Sequence, residues 1–220
     1  MAERCPEPPS ELPEPRSDEL FVLRSRVLRV FFRDGPYPTD WMEFRTAGPL
    51  PTGRFDHHVV RRNRSGSPPG VMYATRRGDP PAPLDALSCA LAETFQATRV
   101  IDTSSRDPWV VWWTPARPVH LLDLGSTWLA RAGGNQALCS GERSISRSWA
   151  RSIHAASSWP APVDGLTWPS SVLGPGRNVV LFESAADAVP YRPDVLRMLA
   201  DPGLGPAIER VARSIGYLVA

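Results

Sequence analysis

The chain has 220 residues, 42% hydrophobic and 22% charged, a size and composition suited to one domain with extensions and a sizeable buried core. Its net charge of +2 is too mild to point to nucleic acid or an anionic membrane as partner. All 25 basic residues are arginine, which excludes a Walker-A phosphate loop, a Schiff-base aldolase and a pyridoxal-phosphate enzyme, so an anionic ligand must be held by guanidinium groups or backbone amides.

Residues 1–19 are rich in proline and glutamate and read as a disordered leader. They lack the apolar centre of a signal peptide, and no window approaches a membrane span, so the protein is expected in the cytoplasm, away from membranes. FVLRSRVLRVFF (21–32) reads as one or two strands, followed by the loop through Asp34-Gly35-Pro36 and the PLPTG turn leading into Arg54. A polar loop is expected at 61–69, a short strand at GVMYAT and another loop through RRGDPPAP. Asp85 to Thr98 is the best helix in the chain, with Leu84, Leu87, Leu91 and Phe95 on one stripe and Ala86, Ala90, Glu93 and Ala97 on a second. WVVWWT (109–114) and VHLLDL (119–124) read as consecutive strands, and Ser144 to Ala156 as a helix with Ile145, Trp149 and Ile153 on one side. A strand ending in a turn is predicted over Asp164 to Ser171 and another over NVVLFE (178–183), with weaker helices near 193–200 and 204–216. Without strict alternation of strand and helix, the fold class is α+β rather than a doubly wound parallel sheet.

Cys5, Cys89 and Cys139 are odd in number, widely spaced and without a C-x-x-C pair, so reduced thiols are expected rather than a disulfide framework or a zinc site. His57 and His58 beside Asp56 suggest a metal at first sight. Adjacent histidines in a strand point to opposite sides, however, and no further His/Cys spacing supports a site. The pairs Arg61-Arg62 and Arg76-Arg77 lie in loops without interleaved aromatics, so no direct nucleic-acid contact is read from them.

Four stretches place a polar residue in an apolar or tight-turn context: Arg54 in GRFDHH (53–58), Tyr73 in GVMYA (70–74), Glu93 in ALAETF (90–95) and Ser170 in GLTWPSS (165–171). Glu93 reads either as a solvated helix glutamate or as a carboxylate facing a sugar whose glycosidic bond is breaking, where fixed negative charge stabilises an oxocarbenium-like transition state. Arg54 is a surface ion-pair residue or a bidentate pyrophosphate anchor; Arg29, on a strand with apolar neighbours, is the second phosphate candidate. Tyr73 is a core aromatic or a platform that stacks on nicotinamide or touches ribose. Ser170 is a turn serine or a substrate contact, since neither His/Asp spacing nor a G-x-S-x-G context marks a nucleophile.

The order and context of these stretches, with LRVFF, WARSIH and NVVLFE around them, resemble the RES domain family over about residues 27–190. The family is named for its arginine, glutamate and serine, here Arg54, Glu93 and Ser170, with Arg29 and Tyr73 lining the same cleft. The resemblance implies an ADP-ribosyltransferase-like split β-sheet core with flanking helices. It implies a catalytic domain over 20–190, between the leader at 1–19 and a C-terminal helical extension at 191–220. It further implies a bacterial toxin that cleaves NAD as its substrate, with no cofactor and with water or phosphate as acceptor, and a helix-turn-helix (Xre-type) antitoxin as partner. Trp168 stands where the family carries a tyrosine, and the loop between Tyr73 and Glu93 is longer than in compact members. ADP-ribosylation of a protein and nucleotide binding without turnover are the alternative readings.

Overall fold

The computed structural model describes residues 4–58, 69–78, 86–156, 159–160 and 163–220. Most of the loops expected at 61–69 and 76–83, the pair Arg61-Arg62, and residues 84–85 lie outside that set.

FVLRSRVLRVFF forms two strands, β1 (Leu20–Leu23) and β2 (Val27–Phe32), which part company in the sheet. GVMYAT supplies β3 (Val71–Arg76), and the alanine- and leucine-rich stretch after it forms α1 (Ala86–Phe95). Then come β4 (Val100–Ile101), β5 (Pro108–Trp113), β6 (Val119–Asp123), the single turn α2 (Trp128–Arg131) and α3 (Arg143–His154). The chain continues through β7 (Gly165–Pro169), β8 (Arg177–Phe182), β9 (Val195–Met198), α4 (Gly205–Ile215) and β10 (Leu218–Val219). The architecture is mixed α+β: an eight-stranded sheet in the order β1-β6-β7-β8-β3-β2-β5-β9, with β10 pairing β4 separately. Among the described residues no helix is long and apolar enough to cross a membrane.

Alternation sorts the strand residues onto two faces. Met72, Ala74, Val179 and Leu181 point to a core closed by Trp41 and by Ala185, Ala188 and Val189. On the opposite face α1 and α4 cover one half of the sheet through Leu28, Leu91, Phe95, Val110, Ile208 and Val211. There Trp128, Trp149 and Ile153 cover the other half against Leu122, Leu166, Trp168 and Val180.

The sheet is weakest at its middle. β2 pairs with β5 along its whole length but meets β3 only at Val27↔Arg76 and Leu28↔Thr75. Beyond that point the strands diverge and residues 39–45 wedge into the gap. Thr39 donates its N–H to Phe32 O at 2.9 Å, and Arg45 forms a two-way bridge with Val71. Arg29 is the keystone of the wedge: its Nη1 donates to Trp41 O at 3.1 Å and Glu43 O at 2.9 Å, and its Nη2 to Thr39 Oγ1 at 3.2 Å.

Two expectations need correction. Residues 4–19 are ordered against the helical layer despite their composition. Cys5 and Leu12 are buried there, and the indoles of Trp149 and Trp128 donate to Pro6 O and Pro13 O, both at 2.8 Å. A proline-rich segment has no ladder of its own, so foreign donors satisfy its carbonyls, and buried Glu19 locks it down by a 2.6 Å ion pair to Arg131. Second, VLRM at 195–198 is a strand rather than a helix, because the open edge of β5 captures it. The segment 191–220 thus contributes β9 and β10 as well as α4. β5 and β6, consecutive strands as expected, lie in different halves of the sheet.

Candidate functional site

A cavity of about 820 Å³ opens where β2 and β3 diverge, within the size range of small-molecule sites. Its walls include Arg29, Arg54, Tyr73, Glu93, Arg106, Arg143, Trp168 and Asn178.

Glu93 comes from α1, which buries Leu87, Cys89, Leu91 and Phe95 and leaves Glu93 half-buried toward the cavity. Its Oε1 accepts from Ser170 Oγ at 2.6 Å and from Asn178 Nδ2 at 2.7 Å, while among the described residues Oε2 meets only Gln96 at 3.4 Å. Ser170 Oγ in turn accepts the N–H groups of Val172 and Leu173 at 3.1 and 2.9 Å. The single hydroxyl proton is therefore committed to the carboxylate, which makes Ser170 a positioning group for Glu93. Asn178 is oriented from its other side by the Cys89 thiol, which donates to Oδ1 at 3.6 Å one helical turn before Glu93. Burial, and then the Glu93 charge, push that thiol up to about 12, so it is a neutral donor. Gly176 makes the approach possible, since a Cβ there would lie 2.6 Å from Cys89 Sγ.

The opposite wall is the loop carrying Arg54. Its hub is Asp56, fully buried, which accepts from Arg45 at 2.7 Å, from the Leu50 N–H at 2.8 Å and from Tyr73 Oη at 2.9 Å. Gly53 is required beside it, as a Cβ would fall 2.3 Å from Asp56 Oδ1. The Phe55 N–H donates back to Tyr73 Oη at 2.9 Å. Burial, then the Asp56 charge, hold the Tyr73 phenol well above its ordinary value, so it stays a donor. Its hydroxyl thus serves the loop, leaving the ring as its face to the cavity, edge-on to Trp168 at 6.4 Å.

Arg54 reaches across to Gly141 O at 2.8 Å, Ser146 Oγ and Ser140 O, close to Arg143 at the positive N-terminal end of α3. Burial, then the neighbouring Arg143 charge, lower its pKa. Among the described residues neither Arg54 nor Arg143 is ion-paired with a carboxylate, and the buried Nε of Arg143 has no hydrogen-bond partner. Arg106 stacks over Phe32 at 4.1 Å from the strained pair Arg106-Asp107, both with left-handed φ (66° and 48°).

The structure thus brings Arg54, Tyr73 and Glu93 around one cavity, with Ser170 buried behind Glu93 and bonded to it. Arg29 also lines it, but its donors hold the 39–45 wedge, and burial lowers its pKa to about 10. Sequence reasoning missed Asn178, Asp56 and Arg143. The first is the second residue of β8, the second sits beside two histidines that draw attention to metal binding, and the third is one arginine among 25.

Comparison with family models, with curated proteins and with solved structures finds no match to this chain.

Proposed function

We propose that this cavity binds NAD and cleaves its nicotinamide–ribose bond, as the resemblance to the RES family implies. One observation carries the reading. A carboxylate fixed through one oxygen by Ser170 and Asn178 shares a cavity with two arginines that have no carboxylate partner among the described residues.

NAD presents the complementary charges, with two negative phosphates at one end of the ribose and a developing cation at the other. Arg54 and Arg143 bind the pyrophosphate oxygens. The Tyr73 and Trp168 rings flank the nicotinamide ribose. As the C1′–N bond breaks, its electron pair leaves with nicotinamide, which becomes neutral, and positive charge develops on the ribose. Glu93 stabilises that charge through Oε2, with no reorganisation because Oε1 is already held. Water or phosphate then donates an oxygen lone pair to C1′; water gives up its proton to solvent. The split-sheet, ADP-ribosyltransferase-like relationship belongs to the same proposal and finds support in the divergence of β2 from β3. Such depletion of NAD arrests growth, and a helix-turn-helix antitoxin is the expected neutralising partner.

A second reading, transfer of ADP-ribose to a protein, is favoured by Tyr37, half-exposed on the cavity wall where an acceptor side chain can enter. Incubating the folded protein with NAD, with and without phosphate, and following nicotinamide release by chromatography tests both. Release with free ADP-ribose or its 1-phosphate supports the first; ADP-ribose mass added to protein supports the second. Stoichiometric NAD binding without release leaves a binding module, and neither binding nor release removes the site.

A further inference from the structure

Three of the four histidines, His57, His58 and His154, gather with their rings stacked, and none of them lines the cavity. The segment Asp56–His58 is not a strand, so His57 and His58 do not diverge; their rings lie 5.7 Å apart and 19° from parallel. On the other side of His57 the ring of His154, the last residue of α3, stacks at 4.1 Å. Both Nε2 atoms converge on Glu183 just after β8: His57 on Oε2 at 3.1 Å and His154 on Oε1 at 2.9 Å.

We propose that His57, His154 and Glu183 form a binding site for a divalent transition-metal ion of the Zn²⁺ or Co²⁺ type. Their ligand atoms all lie within 4.8 Å of one another. Tetrahedral zinc, with ligands at about 2.0–2.1 Å, sets its donors about 3.3 Å apart; the two His–Glu183 separations, 3.1 and 2.9 Å, already lie near that value, and the widest pair closes by at most about 1.5 Å, within reach of a side-chain rotation at part-exposed His154. Two imidazoles and a carboxylate are the donor set of borderline-soft ions; hard Mg²⁺ and Ca²⁺ prefer oxygen alone. His57 is almost completely buried (side chain 1% exposed), whereas His154 (33%) and Glu183 (40%) reach solvent. An ion therefore enters from the surface and keeps a water in its open position. The Gly70 N–H, 3.2 Å from Glu183 Oε2, steadies the carboxylate. His58 is outside the set, since its Nε2 faces Arg45 O at 3.2 Å.

His57 Nδ1 has no hydrogen-bond partner among the described residues, and loss of such an outer contact typically weakens a metal site by about 10–100-fold. Micromolar rather than nanomolar affinity is expected. The ligands come from the Arg54 loop, the end of α3 and the end of β8, so the ion clamps that loop, three residues beyond Arg54, onto sheet and helix. The site stands independently of the NAD reading.

The test is titration of tag-free, chelator-stripped protein with Zn²⁺ by calorimetry and with Co²⁺ by visible absorption. One equivalent is expected to bind, with the d–d bands of a four- or five-coordinate ion and a rise in Tm of several degrees. His154→Ala and Glu183→Gln, both at part-exposed positions, each weaken binding at least tenfold, while His120→Ala, an exposed histidine elsewhere, changes nothing. His154→Gln serves if circular dichroism shows His154→Ala misfolded. Absence of saturable binding, or affinity retained in the folded His154 and Glu183 variants, overturns the proposal.

Discussion

The wall that carries Glu93 is a helix packed on most of its sides, whereas the wall that carries Arg54 is a loop without regular secondary structure from residue 46 to residue 58. α1 holds its position by apolar burial, and only the last step, from Ser170 and Asn178 to Oε1, is polar. The Arg54 loop holds its position almost entirely by polar bonds converging on Asp56 and Tyr73. Apolar burial is broad and forgiving of one lost contact, while a buried polar hub fails when one member is removed. The two walls should therefore break differently.

Glu93→Gln is expected to have the largest effect. It keeps the shape and one oxygen for Ser170, so unfolding midpoints stay near those of the parent. If the proposed NAD cleavage holds, removing a fixed charge from the transition state should lower its kcat about 10²–10³-fold. Asp56→Ala should do the reverse, acting first on stability: it strands Arg45, Tyr73 Oη and the Leu50 N–H in a buried place. A loss of about 3 kcal/mol, or roughly 6–12 °C in Tm, is expected in calorimetry. If Asp56→Ala leaves Tm unchanged, the loop is held by something other than its hub.

Alkaline titration compares the walls through a cysteine behind each. Cys89, under Glu93, and Cys139, near Arg54, are both raised from 9.0 to about 12, chiefly by burial. Their folded-state pKa values lie above the unfolded ones, so the stability they carry is complete below pH 9 and is lost as pH rises from 9 towards 12. Denaturant midpoints should fall across that window, and Cys89→Ala should flatten part of the decline. The smallest effect is expected for Tyr73→Phe. It keeps the ring and removes one shared hydroxyl, costing about 1 kcal/mol and raising KM more than it lowers kcat. A kcat loss as large as that of Glu93→Gln would instead place the hydroxyl in the chemistry.

The elements most legible in the sequence were those whose periodicity reports burial directly. The stripes of Leu87, Leu91 and Phe95 and of Ile145, Trp149 and Ile153 mark helices that pack as those stripes require, and GVMYAT is a strand. Pairing was not legible, since WVVWWT and VHLLDL carry nothing in their patterns to say that they lie in different halves of the sheet. VLRM suits a helix locally, and only the free edge of β5 makes it a strand. In the site, Glu93 and Ser170 stood out as polar residues in apolar phrases, and they do meet. The bond from Asn178 to Glu93, and the bonds of Phe55 and Asp56 beside Arg54 to Tyr73, join residues far apart in the chain. Local spacing likewise concealed His154 and Glu183 from His57.

The two-rung contact between β2 and β3 has a mechanical consequence. Where most sheets resist separation through a continuous ladder, here the aperture is set by a wedge, residues 39–45, seated on one guanidinium. Widening the gap beyond Leu28 sacrifices a handful of loop contacts and no strand registry, so the cleft is two stiff jaws on a compliant joint. Each jaw is a ladder of six residue pairs, β2–β5 on the Arg29 side and β3–β8 on the other, and the give lies in the wedge between them.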